Sequence, residues 1–385
     1  MKLVVLDANA YWTEQLFRQC AGFSDVLLLK PREFRTHRRM FGSFRGERNP
    51  RKLSGRVWEQ TLSMPPGWMV ETWPVAKRRI ERAIRAFADG GDLVLVIVYP
   101  HYRSLIHSIK PKLSVYYNFD DYRDNWPKHR TSVPRWEAET VALADETICI
   151  AAHRVEILAK AHPHKQGQIH HIPLGVTPEF MVQETIQGKR KPGHRPAAGY
   201  IGALNYRFDF AFLAQVAALL PEVRFVLGGR VLEDGDASWH TGLKLAQGQP
   251  NIEFLGWIEH TQLPEYLADF DVLLMPYSHC NFNTNACPAK LWDYLGTGKP
   301  IVANEANPET LMWREVVRIG RTAEDFAAAV KQALEESDSS IVKQRLEIAS
   351  EHTWEKLGGR LLKILSNAMS PPLVAEGSAS TASHP

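Results

Sequence analysis

Asn285-Ala286-Cys287-Pro288-Ala289-Lys290-Leu291-Trp292-Asp293-Tyr294-Leu295-Gly296-Thr297-Gly298-Lys299-Pro300-Ile301-Val302 reads as a helix that runs straight into a strand. Pro288 suits the first turn, where a missing N–H is not needed, and Gly296 and Gly298 suit the helix end before a strand begins at Pro300. The start of such a helix offers free backbone N–H groups and a positive dipole end, which together attract an anion. Lys290 adds a full charge in the first turn. Asp293, three residues on, shares that face, where a carboxylate can accept bonds from a pair of sugar hydroxyls. The competing reading is an ordinary capped helix with a surface Lys–Asp pair.

Outward from this stretch the same unit recurs. Strands are expected at Ala198–Ala203, Arg224–Leu227, Ile252–Leu255, Val272–Met275 and Pro300–Ala303. Phe212, Leu213, Val216, Ala217 and Leu220 form one apolar helix face between the first two. The first half repeats the alternation, with strands at Leu3–Leu6, Val26–Leu29, Leu93–Val98, Leu113–Tyr117, Glu146–Ile150 and Ile169–Ile172 and a helix over Val75–Phe87. Short apolar strands alternating with amphipathic helices signal a parallel sheet. Between the halves, Glu184 to Pro196 is polar, basic and broken by Gly and Pro, so it reads as a linker. The fold class expected is therefore α/β, with two doubly wound Rossmann-like domains facing a cleft. Ligands of such sheets bind beyond the C-terminal strand ends.

The run P-A-K-L-W-D-Y-L-G-T-G-K-P-I-V-A resembles the P-x-K-[LF]-x-[ED]-Y-[LA]-x-x-G-[KL]-P-V-V motif of bacterial GT-B glycosyltransferases of exopolysaccharide and teichuronic-acid type. Tyr200-Ile201-Gly202-Ala203-Leu204 with Arg207 and Asp209, Phe225–Gly229, Asn251–Gly256 and Phe270–Tyr277 are similar to that family's segments in order and spacing. So are Ala144–Ile148 and Ile172–Val176 in the first half. The resemblance implies an N-terminal acceptor domain (1–180), a linker (181–196), a nucleotide-sugar domain (197–352) and a helix returning to the first domain (353–370). Residues 371–385, small, polar and proline-bearing, are expected to be disordered. By position, Asp293 stands where the family has the Glu that binds the ribose hydroxyls. The family's earlier Glu corresponds to Asn285, an uncharged amide. That departure puts the retaining E-x7-E arrangement in doubt and favours inversion.

Departure of a nucleoside diphosphate leaves negative charge on the β-phosphate, which the site must stabilise with cations. Arg207, Arg230 and Lys290 are the candidates, each competing with a plain surface charge. Gly202 and Gly229 follow strands where the backbone would pass close to the donor, and the loop Gly256-Trp257 is the candidate for recognising the base. The acceptor hydroxyl must lose a proton to a group at a strand end of the first domain. Val115-Tyr116-Tyr117-Asn118-Phe119-Asp120-Asp121 puts an acidic pair there. Asp120 is the expected base, its pKa raised by its neighbour; Asp121 is the alternative, and both could simply cap the next helix. His101, after Val98-Tyr99-Pro100, is the second choice of base or a substrate contact.

No metal and no cofactor besides the donor substrate is expected. Asp234-Gly235-Asp236 and Asp269-Phe270-Asp271 fit a DxD pattern, but one lies in a polar loop and the other spans a helix end and a strand start. His162-Pro163-His164 and His170-His171 lack partner residues for a metal cluster. The four cysteines carry no CxxC pair and no disulfide framework, and no apolar run approaches the roughly 20 residues of a membrane span. The N-terminus lacks the apolar core of an export signal. These features suggest a cytoplasmic location.

The net charge of +3 over 385 residues hides an asymmetry. Lys30 to Arg85 holds fifteen Lys and Arg against five acids, +10, which leaves −7 elsewhere. Phe34, Met40, Phe41, Phe44, Trp58, Met64, Trp68 and Met69 are interleaved with that charge. Such a segment suits docking on an anionic inner leaflet or on the pyrophosphate of a lipid-linked acceptor, and competes with a solvated loop. No nucleic-acid module surrounds it. The functional expectation is transfer of a sugar from a nucleotide-diphosphate sugar to a lipid-linked or membrane-associated saccharide in cell-surface polysaccharide synthesis. Rivals are a nucleotide-sugar 2-epimerase and a two-lobed ligand-binding protein. An NAD-dependent oxidoreductase lacks its GxGxxG.

Overall fold

The structure, a computed structural model, describes residues 1–35, 38, 46–71, 73–123, 126–181 and 195–370. Residues 182–194, most of the expected linker, and 371–385, the expected disordered tail, lie outside the described residues.

The first half builds an eight-stranded sheet from β1 (Lys2–Leu6), β2 (Asp25–Glu33), β3 (Arg51–Ser54), β4 (Val57–Met64), β5 (Leu93–Ile97), β6 (Leu113–Asn118), β7 (Glu146–Cys149) and β8 (Ile169–His171). Its order is β3-β4-β2-β1-β5-β6-β7-β8, parallel throughout except for β3 against β4. From β1 the chain winds outward through β2 to β4, then returns to the other side of β1 with β5. The order therefore reverses between β1 and β5. Leu3, Val4, Val5 and Leu6 are wholly buried between the two helical layers, each worth about 1.5–3 kcal/mol of burial.

The second half forms a six-stranded parallel sheet from β9 (Ala197–Ile201), β10 (Arg224–Gly228), β11 (Ile252–Gly256), β12 (Val272–Met275), β13 (Ile301–Ala303) and β14 (Val317–Ile319). Its order is β11-β10-β9-β12-β13-β14, with the reversal between β9 and β12. These two reversals are where ligands of doubly wound sheets bind, and the loops after them touch where Arg123, beyond β6, bonds Asn281, beyond β12.

The sequence reading missed β3, β4 and β14. β4 lies inside the basic segment, where Val57, Leu62 and Met64 are buried among charged neighbours. Those charges are paired inside the sheet: buried Lys30 bonds Glu14 at 2.7 Å and also Glu59, and Arg51 bonds Glu59 at 3.0 Å. Part of the +10 charge expected to meet an anionic surface is therefore paired within the fold, at Lys30 and Arg51. The decisive helix runs from Ala289 to Gly296 with Pro288 as its N-cap rather than in its first turn, and Gly298 takes a left-handed φ of 69°.

The last helix, Trp354–Met369, packs against the helix Tyr11–Arg18 of the first half. Leu357, Leu361 and Leu365 form its buried stripe. At Gly358 a Cβ would meet Cβ of Gln19 at 2.2 Å, so the two elements approach as closely as glycine permits. The halves also meet where Thr177 N donates to Asp293 Oδ1 at 2.8 Å and Ala152 N donates to buried Glu309 Oε2 at 3.0 Å. Among the described residues no helix is long and apolar enough to cross a membrane.

Candidate functional site

On the second sheet the ends of β11, β10 and β9 set Trp257, Gly229-Arg230 and Gly202 side by side, because Gly228 pairs with both Ile201 and Gly256. Gly202 N bonds Gly228 O at 2.8 Å and Gly229 N bonds Gly256 O at 2.7 Å, so the ladder continues past the strands. Gly229 has φ 141°, and a Cβ there would stand 1.9 Å from Gly202 O. Gly202 has φ 152°, and its Cβ would stand 2.2 Å from Lys290 Cε. Both positions exclude a side chain by conformation and by space. The glycine floor thus lets Lys290, half-buried, reach in from the Ala289–Gly296 helix and lie 5.0 Å over the Tyr200 ring. Arg230 lies 5.0 Å over the exposed Trp257 ring, which joins two of the expected donor residues.

Arg207, in the loop after β9, is shaped by its own neighbours. Its backbone N and its Nε both donate to Asn205 Oδ1 at 3.2 Å, and its guanidinium lies 4.4 Å over Phe282. Asn283 Nδ2 holds the Arg207 carbonyl at 2.9 Å.

On the first sheet Asp120 and Asp121 follow β6. Asn118 Nδ2 bonds the Asp120 carbonyl at 3.2 Å and Glu137 at 2.8 Å, and Glu137 pairs with the buried Arg154 at 2.6 Å. Asp120 is 5% exposed, and burial pushes its carboxyl from 3.8 up to about 7. The charge of Asp121 adds to the rise, while the Asp121 N–H and the positive charges of Arg207 and Arg154 oppose it. The expected direction holds, but burial is the main cause and the neighbouring carboxylate a smaller one. Burial alone would also raise Asp121. There the bonds from Arg123 outweigh it and hold the carboxyl below its ordinary value. The two carboxylates therefore part company, one poised between its acid and its anion near pH 7 and the other a paired anion.

His101 sits 4% exposed among Trp68, Tyr99, Tyr102 and Trp126. Burial lowers its pKa to about 3, so it stays neutral at ordinary pH and is a poor proton acceptor. Among the described residues its Nδ1 has no hydrogen-bond partner.

Residues from the two sheets converge. Arg207 acts on Asp120 from the opposite half. Arg123 Nη2 donates to Asn281 Oδ1 at 3.1 Å, and Asn285 Nδ2 bonds Asn281 O at 2.9 Å. Asn285 is thus turned onto its own short helix, Asn281–Asn285. Asp293 lies further along, its Oδ1 accepting from Thr177 N; burial, then the charge of Glu179 and then that of Asp293 raise the Tyr11 hydroxyl.

Both DxD pairs are spent on structure. Asp234 accepts from Tyr206 N at 2.9 Å and Asp236 caps the helix Ala237–Gln247 through Trp239 N at 2.9 Å. Asp271 accepts from Ala197 N at 2.9 Å, and Asp269 pairs with Arg224 at 3.4 Å. Among the described residues no group of three or more His, Cys, Asp or Glu is placed to hold a metal ion.

Sequence reasoning missed Asp7, Tyr99 and the Asn118–Glu137–Arg154 support. Asp7 was findable: it is the first residue after β1, and strand ends were already the place to look. The Arg154 support had no local signal, because Asn118, Glu137 and Arg154 meet only through the packing of three elements.

Residues 195–336 match the family described as Glycosyl transferases group 1. A Bacillus subtilis protein named as a teichuronic acid biosynthesis glycosyltransferase, TuaH, is 24% identical over 305 residues, 72% of this chain and 73% of that one. Among solved structures, sucrose-phosphate synthase from Thermosynechococcus elongatus superposes with a TM-score of 0.69 at 16% identity, covering 95% of this chain and 99% of that one. Anabaena HepE in complex with UDP and glucose does so with a TM-score of 0.65 at 15% identity, covering 95% and 100%. Those two share the arrangement of two Rossmann-like domains.

Proposed function

We propose that this protein, a GT-B glycosyltransferase, moves a sugar from a nucleotide-diphosphate sugar to a saccharide acceptor of cell-surface polysaccharide synthesis. The donor lies on the second domain. Its diphosphate rests over Gly202 and Gly229 within reach of Lys290, Arg207 and Arg230, its base stacks by Trp257, and its ribose hydroxyls meet Asp293. Asp120 is the base. The acceptor oxygen bonds to the anomeric carbon as the carbon–oxygen bond to the diphosphate breaks, the acceptor proton passes to Asp120, and the nucleoside diphosphate departs with its charge held by the three cations. This displacement inverts the anomeric centre. The amide of Asn285, where a retaining relative would carry Glu, supports that stereochemistry.

The observation that carries the proposal is a buried carboxylate, Asp120, at the end of a first-sheet strand, with the charge of Arg207 from the second half acting on it. A proton acceptor with a pKa near neutrality and a cation for the leaving group are what this displacement needs within one site. No metal is assigned a part, since the cationic trio serves the diphosphate.

A lipid-linked acceptor and peripheral binding to an anionic membrane belong to the same proposal. The helix Pro74–Ala88 supports them, with Arg78, Arg82 and Arg85 exposed opposite its buried Ile80 and Ile84 and with Trp73 and Val75 exposed at its start. A thermal-shift panel of UDP, GDP, ADP, dTDP and their sugar conjugates tests the donor assignment. A binder at 100 times its Kd stabilises by about 2.7 kcal/mol, and no shift with any member overturns the proposal. Product analysis with donor alone separates transfer from epimerisation.

A further inference from the structure

We propose that Asp7 is an acceptor-binding residue, a carboxylate that takes hydrogen bonds from hydroxyls of the acceptor sugar beside the rings of Tyr99 and Trp126. This rests on the transferase reading above and names the residue on which the sugar is received.

Topology places Asp7 at the reversal of the first sheet. It directly follows β1, whose Leu6 pairs with Ile97 of β5, and Ile97 pairs in turn with Tyr116 of β6. Asp7, the Tyr99–His101 turn and Asp120 therefore follow three adjacent strands, each roughly 4.8 Å from the next. Burial pushes the Tyr99 hydroxyl up, and the charges of Asp7 and Asp120 both add to the rise, so both carboxylates act on the same ring.

Backbone and burial at Asp7 both run against stability. Its φ is 71°, a left-handed conformation in a residue with a Cβ. It is 8% exposed, and its bonds come from neutral donors: Tyr102 Oη at 2.7 Å on Oδ2 and Asn9 Nδ2 on Oδ1. Burial raises it from 3.8 to about 6, the Tyr102 and Asn9 bonds and the charge of Arg32 only partly offsetting the loss of water. Strain and an incompletely compensated carboxylate in one residue mark a position kept for what it binds.

The surroundings say what that is. Oδ2 faces the buried Tyr102, but Oδ1 lies against Asn9, which is exposed and itself held by Arg32 Nε at 2.7 Å. An arriving hydroxyl can reach the Asn9 side, and an ionised carboxylate has about four lone-pair sites, of which two are taken. Tyr99 and Trp126 meet at 5.1 Å, and Phe119 and Tyr122 extend the cluster at 5.7 and 5.1 Å from Tyr99. Carboxylate and amide for hydroxyls, with ring faces for C–H groups, is the chemistry that recognises a sugar rather than a lipid chain or a phosphate.

The experiment is a saturation-transfer NMR titration of the full chain with the methyl glycosides of glucose, galactose, N-acetylglucosamine and glucuronic acid. It is run on wild type, Asp7→Ala and Asp7→Asn, with and without the nucleoside diphosphate that stabilises the protein most. At least one glycoside is expected to bind wild type and to weaken about tenfold or more in both variants, with the nucleotide shift unchanged. Asp7→Asn is further expected to melt no lower than wild type at pH 8, because Asn tolerates the left-handed region and carries no charge. Unchanged glycoside binding in the variants overturns the proposal, as does a wild type that binds none of the four. Joint loss of glycoside and nucleotide binding in Asp7→Asn also overturns it, by assigning Asp7 to folding. A wild type that binds glycoside but no nucleotide would bring down the donor assignment instead.

Discussion

Arg123 of the first half donates to Asn281 Oδ1 of the second at 3.1 Å while its Nε bonds both oxygens of Asp121 at 2.9 Å. One guanidinium therefore neutralises the carboxylate next to the proposed base and joins the two halves beside it. In Arg123→Ala the charge of Asp121 loses its bonded partner, and only the more remote charges of Arg154 and Arg207 oppose its effect on Asp120. The acidic limb of the pH–rate profile is expected to move to higher pH relative to wild type, and rescue by Arg123→Lys separates loss of charge from loss of fold.

Asp120→Asn removes the proton acceptor and leaves the donor residues in place. Turnover is expected to fall by about 10²–10⁴ with nucleotide binding preserved. In wild type kcat/KM rises with pH through about 7, where Asp120 ionises. The variant should lack that limb.

The same group sets a stability trend. Asp120 has a folded pKa of about 7 against 3.8 for the model carboxylate, so between those values the folded chain binds the proton and the unfolded chain does not. Its contribution to stability is greatest below pH 3.8 and falls until the pH passes 7. Melting curves of wild type and Asp120→Asn should accordingly show the variant gaining on wild type between pH 5 and pH 8.

Gly202 and Gly229 differ in what blocks them. A methyl at 229 meets the Gly202 carbonyl, which is backbone, whereas a methyl at 202 meets the end of the flexible Lys290 side chain. Gly229→Ala is expected to lower stability by about 1–3 kcal/mol and to abolish the nucleotide response. Gly202→Ala should cost less stability while displacing Lys290, and denaturant melts with and without nucleotide will separate the two.

Lys290→Ala should slow transfer more than it weakens nucleotide binding, because the leaving charge is largest in the transition state. Losing one such donor costs about 2.7–4 kcal/mol of barrier. Equal loss in kcat/KM and in nucleotide Kd would show that Lys290 serves binding alone.

Recognised segments did not all carry chemistry. Asn251 uses its amide to hold Ala217 O, Leu220 O and Val223 O, and Asp145 accepts from Ser114 N and Oγ. Both are packing devices of the fold that made the resemblance visible. The residues singled out on chemical grounds met in pairs, Lys290 with Gly202 and Arg230 with Trp257. Asp7 stood at a strand end, where the sequence pointed, but what sets it apart from other strand-end acids, its φ of 71° and its burial, only the tertiary structure gives.

The two sheets, most of their strand ends and the residues Gly202, Gly229 and Lys290 that the structure brings together were legible in the chain, because alternation of apolar runs, turn residues and short motifs are local and survive as linear patterns. Which carboxylate is paired and which is desolvated was decided by tertiary structure. Asp120 and Asp121 are adjacent and chemically identical. Both are buried, and they part because Arg123 bonds the carboxyl of Asp121 while burial dominates at Asp120. The pKa of a group depends on the solvent it loses and the charges brought near it, and both are set by residues distant in sequence.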